Sequence, residues 1–269
     1  MKLVAYYHIY LTDDYSWVNI FTEQMNSLLN SKLLNHLDEL MICTISSNDK
    51  AIEAIIGLSS YYSTLCKANI KLYNFNKNIN DQDLDKVLFG NHKIVHEGFT
   101  LHMLHSYCKI SEPCRVLYFH AKGITGLERM IKGDNKNYKY FVNTVNWRDY
   151  LHWAVVDNFK TCLNILNTCD TVGCNLSEFP VKHYSGNFWW ANSEYIKTLQ
   201  DPINPEWMKE FRMKHWALDE QYTHERGLAE FWIGSGNDPK MCSIHQPKLD
   251  DEHPNLIEKL ITKQDLEIL

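Results

Sequence analysis

Apolar and polar positions along the first third of the chain alternate between strand-length runs and helical stripes. Lys2–Leu11 is a run of strand length, and Asp13 and Asp14 stand where capping side chains precede a helix striped by Trp17, Phe21, Met25 and Leu28. Leu40–Ser46 reads as a second strand. Asn48 or Asp49 caps a second helix with Ile52, Ile55, Ile56 and Tyr62 on its stripe, and Ile70–Phe75 is a third strand. The order βαβαβ predicts a parallel sheet with right-handed crossovers. Asn76–Asp85 is a polar connection. Glu97–Ile110 is a helix aligning Leu101, Leu104 and Cys108, and Cys114–His120 is a strand ending in a polar tip of His120, Lys122, Gly123 and Thr125. Gly126–Asn143 reads as a surface loop and Trp147–Leu166 as one long helix whose continuous apolar stripe makes Trp147 a core residue. Thr171–Leu176 is a short strand, Glu206–Glu225 a helical segment and Glu230–Gly234 a last buried strand. A polar tail from Asp238 carries a short helix at Leu256–Ile261. No repeat or linker divides the chain, so a single α/β domain over 1–269 is expected, its mostly parallel sheet covered by helices on both faces.

Composition narrows the function classes. The 269 residues are 45% hydrophobic and 22% charged, ordinary for a globular chain able to bury a large core. A net charge of −6 argues against a nucleic-acid binder, which ordinarily carries a basic face. No run reaches the length of a membrane span and the first residues do not form a signal peptide, so a soluble protein without a transmembrane segment is expected. Cys43, Cys66, Cys108, Cys114, Cys162, Cys169, Cys174 and Cys242 lie mostly in apolar stretches without a CxxC pair. They read as reduced core thiols of a cytoplasmic protein.

Chemistry concentrates in two places. In an open parallel sheet ligands bind at the carboxyl ends of strands, which makes the tip at His120–Thr125 a leading candidate, although the turn after the first strand lacks the glycines of the dinucleotide fingerprint. The stretch His183–Leu199, HYSGNFWWANSEYIKTL, sets a Ser185-Gly186 turn and Asn187 beside Phe188, Trp189 and Trp190 and starts a helix at Asn192. Aromatics next to amides hold sugars; they also fill cores. Asp81, Asp83 and Asp85 form overlapping Asp-x-Asp pairs in a polar loop, where they either bind a cation or cap the helix starting near Lys86. Asp219 and Glu220 are either catalytic carboxylates or an exposed helix face paired with Lys214 or Arg226.

The ordered segments YYHIYLTDDYSW (6–17), EGFTLHMLHSYC (97–108), VLYFHAKGIT (116–125), WRDY (147–150), HYSGNFWWANSEYIKTL (183–199) and AEFWIG (229–234) resemble GT-A-type glycosyltransferases of bacteria and large DNA viruses, which build surface or capsid glycans. The resemblance implies a Rossmann-like nucleotide-sugar fold with a nucleotide-binding half over 1–125, an acceptor half over 126–235 and a tail over 236–269. It implies transfer of a sugar, from a UDP-linked donor foremost, to a glycan acceptor in the cytoplasm, which is the host cytoplasm for a viral chain. The donor would meet Tyr7, His8, Glu97, Thr100, His120, Lys122, Gly123 and Thr125. The acceptor would meet His183, Ser185, Gly186, Asn187, Trp189, Trp190 and Asn192, with Asp219 and Glu220 as catalytic carboxylates. Members of this fold commonly end the site strand in Asp-x-Asp holding Mn2+ or Mg2+; here the place reads His120-Ala121-Lys122, so His120 and Lys122 stand where a metal otherwise neutralises the diphosphate. That departure keeps a second reading in view, a non-catalytic glycan- or partner-binding module. A metal hydrolase built from the thirteen histidines is a third reading, which no HxH pair supports.

Overall fold

β1 (Lys2–Tyr10) is the strand on which the sheet is built, flanked in parallel by β2 (Glu39–Ile45) on one side and β4 (Cys114–His120) on the other. The computed structural model describes residues 1–75, 97–124, 127, 138–179, 181–215 and 225–246. With β3 (Asn69–Phe75), β5 (Thr171–Gly173), β8 (Trp189–Asn192) and β9 (Met241–Ser243), the seven-stranded order is β3-β2-β1-β4-β8-β5-β9, and β8 alone runs antiparallel to its neighbours. β6 (Leu176–Ser177) and β7 (His183–Tyr184) form a small separate pair.

Alternation along β1 divides the core. Ala5, Tyr7 and Ile9 join Leu117 and Phe119 against α1 (Trp17–Asn30), α2 (Asp49–Thr64) and the helical stretch from α4 (Tyr138–His152) to α5 (Phe159–Ile165). Val4 and Tyr6 join Val116 and Tyr118 against α3 (Gly98–Ile110) and α6 (Ser193–Ile196). Both faces are covered, which is why these strands read as unbroken apolar runs. The α/β class with a mostly parallel sheet and helices on both faces is therefore present. No helix among the described residues is long and apolar enough to cross a membrane.

Several elements differ from the sequence reading. Asn48 caps α2, accepting from the Lys50 and Ala51 amides, but Asp14 holds the turn before α1, accepting from Ser16 N and Thr12 Oγ1. The single helix expected over 147–166 is interrupted by a π segment at Trp153–Asp157, where Asn158 donates through both its backbone and its side chain to the Trp153 carbonyl. Residues 138–143, expected as loop, belong to α4. The buried run Glu230–Gly234 is the end of α8 (Glu225–Phe231) followed by a 3-10 turn at Trp232–Gly234. A five-residue apolar run carries no period that separates strand from helix. The sheet edge is instead β9, inside the stretch read as tail. Cys169 and Cys242 form a disulfide across β5 and β9, so these two are not reduced thiols, and the cytoplasmic expectation loses that footing. α7 (Pro205–His215) shortens the helix expected to Glu225, and the Leu256–Ile261 helix lies outside the described residues.

Candidate functional site

Strand order reverses at β1: the chain moves from β1 outward to β2 and β3, then returns to β4 on the opposite side. The crevice outside the carboxyl ends of β1 and β4 is thus a topological switch point, where open α/β sheets receive ligands. His8 and His120 face each other there as register partners, both on the α3 side of the sheet. His8 Nδ1 is 2.8 Å from Thr100 Oγ1, and His120 Nδ1 is 3.3 Å from Glu97 Oε1 at the start of α3. Burial pushes the Tyr118 phenol far up, and the adjacent Glu97 carboxylate adds to it, so Tyr118 stays neutral. Beneath Thr100 the Cys43 thiol is pushed up to about 12 by burial, with the Thr100 hydroxyl acting the other way.

Past β4 the chain turns on a left-handed Gly123, φ 98°, a conformation glycine adopts without strain. The turn is anchored three ways. Ala121 N donates to His8 O, Arg148 Nη1 donates to Lys122 O at 2.9 Å, and the Lys122 ammonium lies 4.4 Å from the centre of the Trp147 ring. Arg148 is 3% exposed and also makes a two-pronged pair with Glu23 at 2.9 and 2.8 Å. Trp147 is thus not purely core, because its ring carries the lysine at the tip; its Nε1 is buried without a hydrogen-bond partner among the described residues.

The turn between β7 and β8 closes the crevice from the other side. Gly186 and Asn187 are both left-handed, at φ 97° and 56°. Gly186 O is 3.1 Å from His120 Nε2, Gly186 N donates to Glu230, and Asn187 Nδ2 donates to Glu97 Oε2 at 2.8 Å. On the α1 side of β4, Tyr7 donates to Gln24 Oε1 at 2.6 Å, and Gln24 Nε2 reaches both His120 O and His152 Nε2.

The structure therefore brings together His8, Glu97, Thr100, His120, Lys122, Gly123, Gly186 and Asn187. Other expected site residues stand elsewhere. Tyr7 is fully buried, its two faces taken by Phe21 and Phe119, so it has no face for a nucleobase. Trp189 and Trp190 are both 0% exposed, with their indole N–H groups donated to Asn187 Oδ1 and Val155 O; neither is a sugar platform. Asn192 pairs in register with Arg115 at the opposite end of β4 and bonds the Leu166 and Cys169 carbonyls. His183 is buried against Phe231 with Nδ1 on Val181 O, and Ser185 N donates to Asn175 O. Thr125, Asp81, Asp83, Asp85, Asp219 and Glu220 lie outside the described residues. Among the described residues no three His, Cys, Asp or Glu side chains converge as a cation site requires.

The sequence reading missed Gln24, Arg148, His152 and Glu230. For the first three a signal existed: each is a polar residue at a position of a buried stripe, between Phe21 and Leu28 or beside Leu151 and Val155.

No curated protein matches the chain. Among solved structures it is similar to 4-diphosphocytidyl-2C-methyl-D-erythritol synthase from Anaerococcus prevotii DSM 20548, with 12% identity, 99% of this chain and 94% of that chain covered, and a TM-score of 0.39. It is also similar to Rv0371C, in complex with manganese, from Mycobacterium tuberculosis H37Rv, with 6% identity, coverage of 92% and 90% and a TM-score of 0.33. Neither likeness is strong enough to bear on activity. A family model described as "Domain of unknown function (DUF8361)" matches residues 6–255, and the chain belongs to that family.

Proposed function

We propose that the chain is a nucleotide-dependent transferase, and within that class a glycosyltransferase taking its sugar from a nucleoside-diphosphate donor, UDP-linked foremost, to a glycan acceptor. The observation that carries the reading is Lys122, a cation at the switch-point crevice on a glycine turn fixed by Arg148. A lysine point charge there suits a diphosphate, and the pre-set turn spares the reorganisation that a mobile loop would require. His8, with Thr100 buried behind it, lines the donor side, and Gly186, with Asn187 buried behind it, the acceptor side. Asp219 or Glu220 supplies the carboxylate that takes the acceptor proton.

A thermal-shift panel of nucleoside diphosphates and their sugars, each with EDTA and with Mn2+, tests the proposal. A ligand bound by the native state alone raises the melting temperature. One uridine diphosphate sugar is expected to do so in wild type and not in Lys122→Met, whereas Asp219→Asn and Glu220→Gln keep the shift and lose turnover. Absence of a shift with every nucleotide overturns the reading. One observation favours the second reading, a glycan- or partner-binding module without turnover: Glu97 and His120 are turned toward each other rather than outward.

A further inference from the structure

The hydrogen positions around Glu97 and His120 are fixed from both ends by groups with a single possible role. An indole N–H can only donate, so Trp189 Nε1, 2.8 Å from Asn187 Oδ1, sets the orientation of the Asn187 amide. Its Nδ2 then donates to Glu97 Oε2 and to Ala229 O, which makes that carboxylate oxygen an acceptor. At the other end a carbonyl can only accept, so His120 Nε2, 3.1 Å from Gly186 O, carries a hydrogen. Between them His120 Nδ1 faces Glu97 Oε1 at 3.3 Å, with both side chains about nine-tenths buried at 8% and 11% exposure. A bare Nδ1 would set a lone pair against a carboxylate away from water, and a hydrogen on Nδ1 turns that repulsion into an ion pair.

We infer that His120 is held with a hydrogen on each ring nitrogen, shared with Glu97 as a buried ion pair, and that this pair is the positioning element fixing the Gly186–Asn187 turn against the end of β4. Glu97 reaches Asn187 and His120 reaches Gly186, so each of the two left-handed residues of the turn is bonded to one member of the pair, and the proton between them joins the two holds. The groups packed around the ring are consistent with that charge state. Tyr118 on β4 is neutral, and His8 on β1 is engaged by Thr100. Gln24 on α1 takes the His120 carbonyl. On α4, Arg148 is turned to Glu23 on α1 and His152 to Gln24; Lys122 lies over Trp147, and Glu230 on α8 takes Gly186 N. The ion pair does not rest on the proposed donor site.

Ring 15N and 13C shifts of histidine-labelled protein test it without any ligand. The His120 signal is assigned by its loss in His120→Gln or, where that variant does not fold, by proton contacts to both Phe188 and Tyr118, whose ring centres are 5.1 and 6.5 Å away, with the His152 ring, 5.5 Å from Phe188, told apart by its loss in His152→Gln. An ordinary imidazole, half-protonated near pH ~6.5, is about nine-tenths neutral at pH 7.5. His120 is expected to keep both hydrogens at that pH in wild type and to hold one in Glu97→Gln. Amide exchange at Gly186 and Asn187, corrected for its intrinsic pH dependence, is expected to rise about tenfold as His120 loses its second proton. A single protonated ring nitrogen in wild type at pH 7.5, an unchanged state in Glu97→Gln, or turn exchange blind to the titration overturns the inference. Failure of nucleoside diphosphates to bind overturns the donor proposal and leaves these ring measurements standing.

Discussion

Adding one methyl group to each of two glycines is expected to move stability in opposite directions. At Gly186 an alanine meets two penalties. A φ of 97° is sparsely populated by residues with a Cβ, at about 1–3 kcal/mol. The new Cβ would also lie 2.7 Å from Leu151 Cδ1 and 3.1 Å from Trp147 Nε1. Leu151 is fully buried, so moving its methyls aside disturbs a packed core and overpacking adds about 1–3 kcal/mol. Gly186→Ala is therefore expected to lose about 2–6 kcal/mol, which at roughly 2–4 °C per kcal/mol lowers Tm by about 4 °C or more. Gly57 lies in the exposed middle of α2 with nothing within 4 Å of a built Cβ. There alanine gains about 0.8–1 kcal/mol of helix propensity and Tm rises by about 2–4 °C. Urea unfolding followed by tryptophan fluorescence reads both differences. A Gly186→Ala variant within about 0.5 kcal/mol of wild type, the range of an ordinary surface change, would refute the claim that this turn is conformationally locked.

Gly234→Ala places a Cβ 1.7 Å from the Lys182 carbonyl oxygen, so backbone must move, and a loss of about 3 kcal/mol or more, or no soluble protein, is expected by expression and unfolding assays. The Cys169–Cys242 bond closes a loop with a sequence separation of 73, worth about 4 kcal/mol on a chain-entropy basis. Reductant should lower Tm in wild type and leave the double serine variant unchanged, and equal Tm values in all four conditions would contradict this. The hydrogen bond to Asp201 raises His102 above the ordinary imidazole range. Burial pushes Asp201 up, but the His102 bond and the Ile203 amide bring it below the usual carboxylate range. Stability from a raised group is complete below its unfolded value and lost as pH rises through the folded one. The gap between wild type and Asp201→Asn should therefore be present in mild acid and close as the solution becomes alkaline; a gap independent of pH would exclude the pair as its source. Gln24→Leu strands Tyr7 Oη against apolar surface and removes the bond to His152 Nε2, while His120 O keeps the Lys122 amide; a loss of about 1–3 kcal/mol for the stranded hydroxyl is measurable by the same urea assay.

The parallel half of the sheet was legible because strands buried on both faces leave long apolar runs, and the carboxyl ends of the strands followed from that as the expected ligand side; the reversal of strand order at β1 comes from the pairing of β4. Asn48 could be read as a cap because capping is local. The rest depends on contacts that sequence distance conceals. His120 meets a carbonyl 66 residues away and Glu97 an amide 90 away, and no local pattern encodes either. The same holds for Cys169, two residues before β5, and Cys242 on β9, joined across a sequence separation of 73. Trp189 and Trp190 show the converse limit. Neighbours on a strand point to opposite faces, so one ring enters each half of the core. The triple aromatic run is what a sheet covered on both sides requires, whether or not a sugar binds nearby.

Polar groups at the tip of β4 are fixed on both faces of the sheet at once. On the α3 face the His120 ring is held by Glu97 and the Gly186 carbonyl. On the α1 face its carbonyl accepts from Gln24, whose amide is oriented because Tyr7 donates to its oxygen; its remaining hydrogen then points at His152 Nε2, which must be the unprotonated nitrogen of that ring. In the plane of the sheet, Ala121 N is tied to His8 O, and one residue later Arg148 takes the Lys122 carbonyl. A strand end pinned from three directions cannot adapt its backbone to a ligand. On the proposed function, recognition at this crevice would lie with side chains that extend beyond the pinned backbone, Lys122 first among them. The buried histidines on either face set where that lysine starts from.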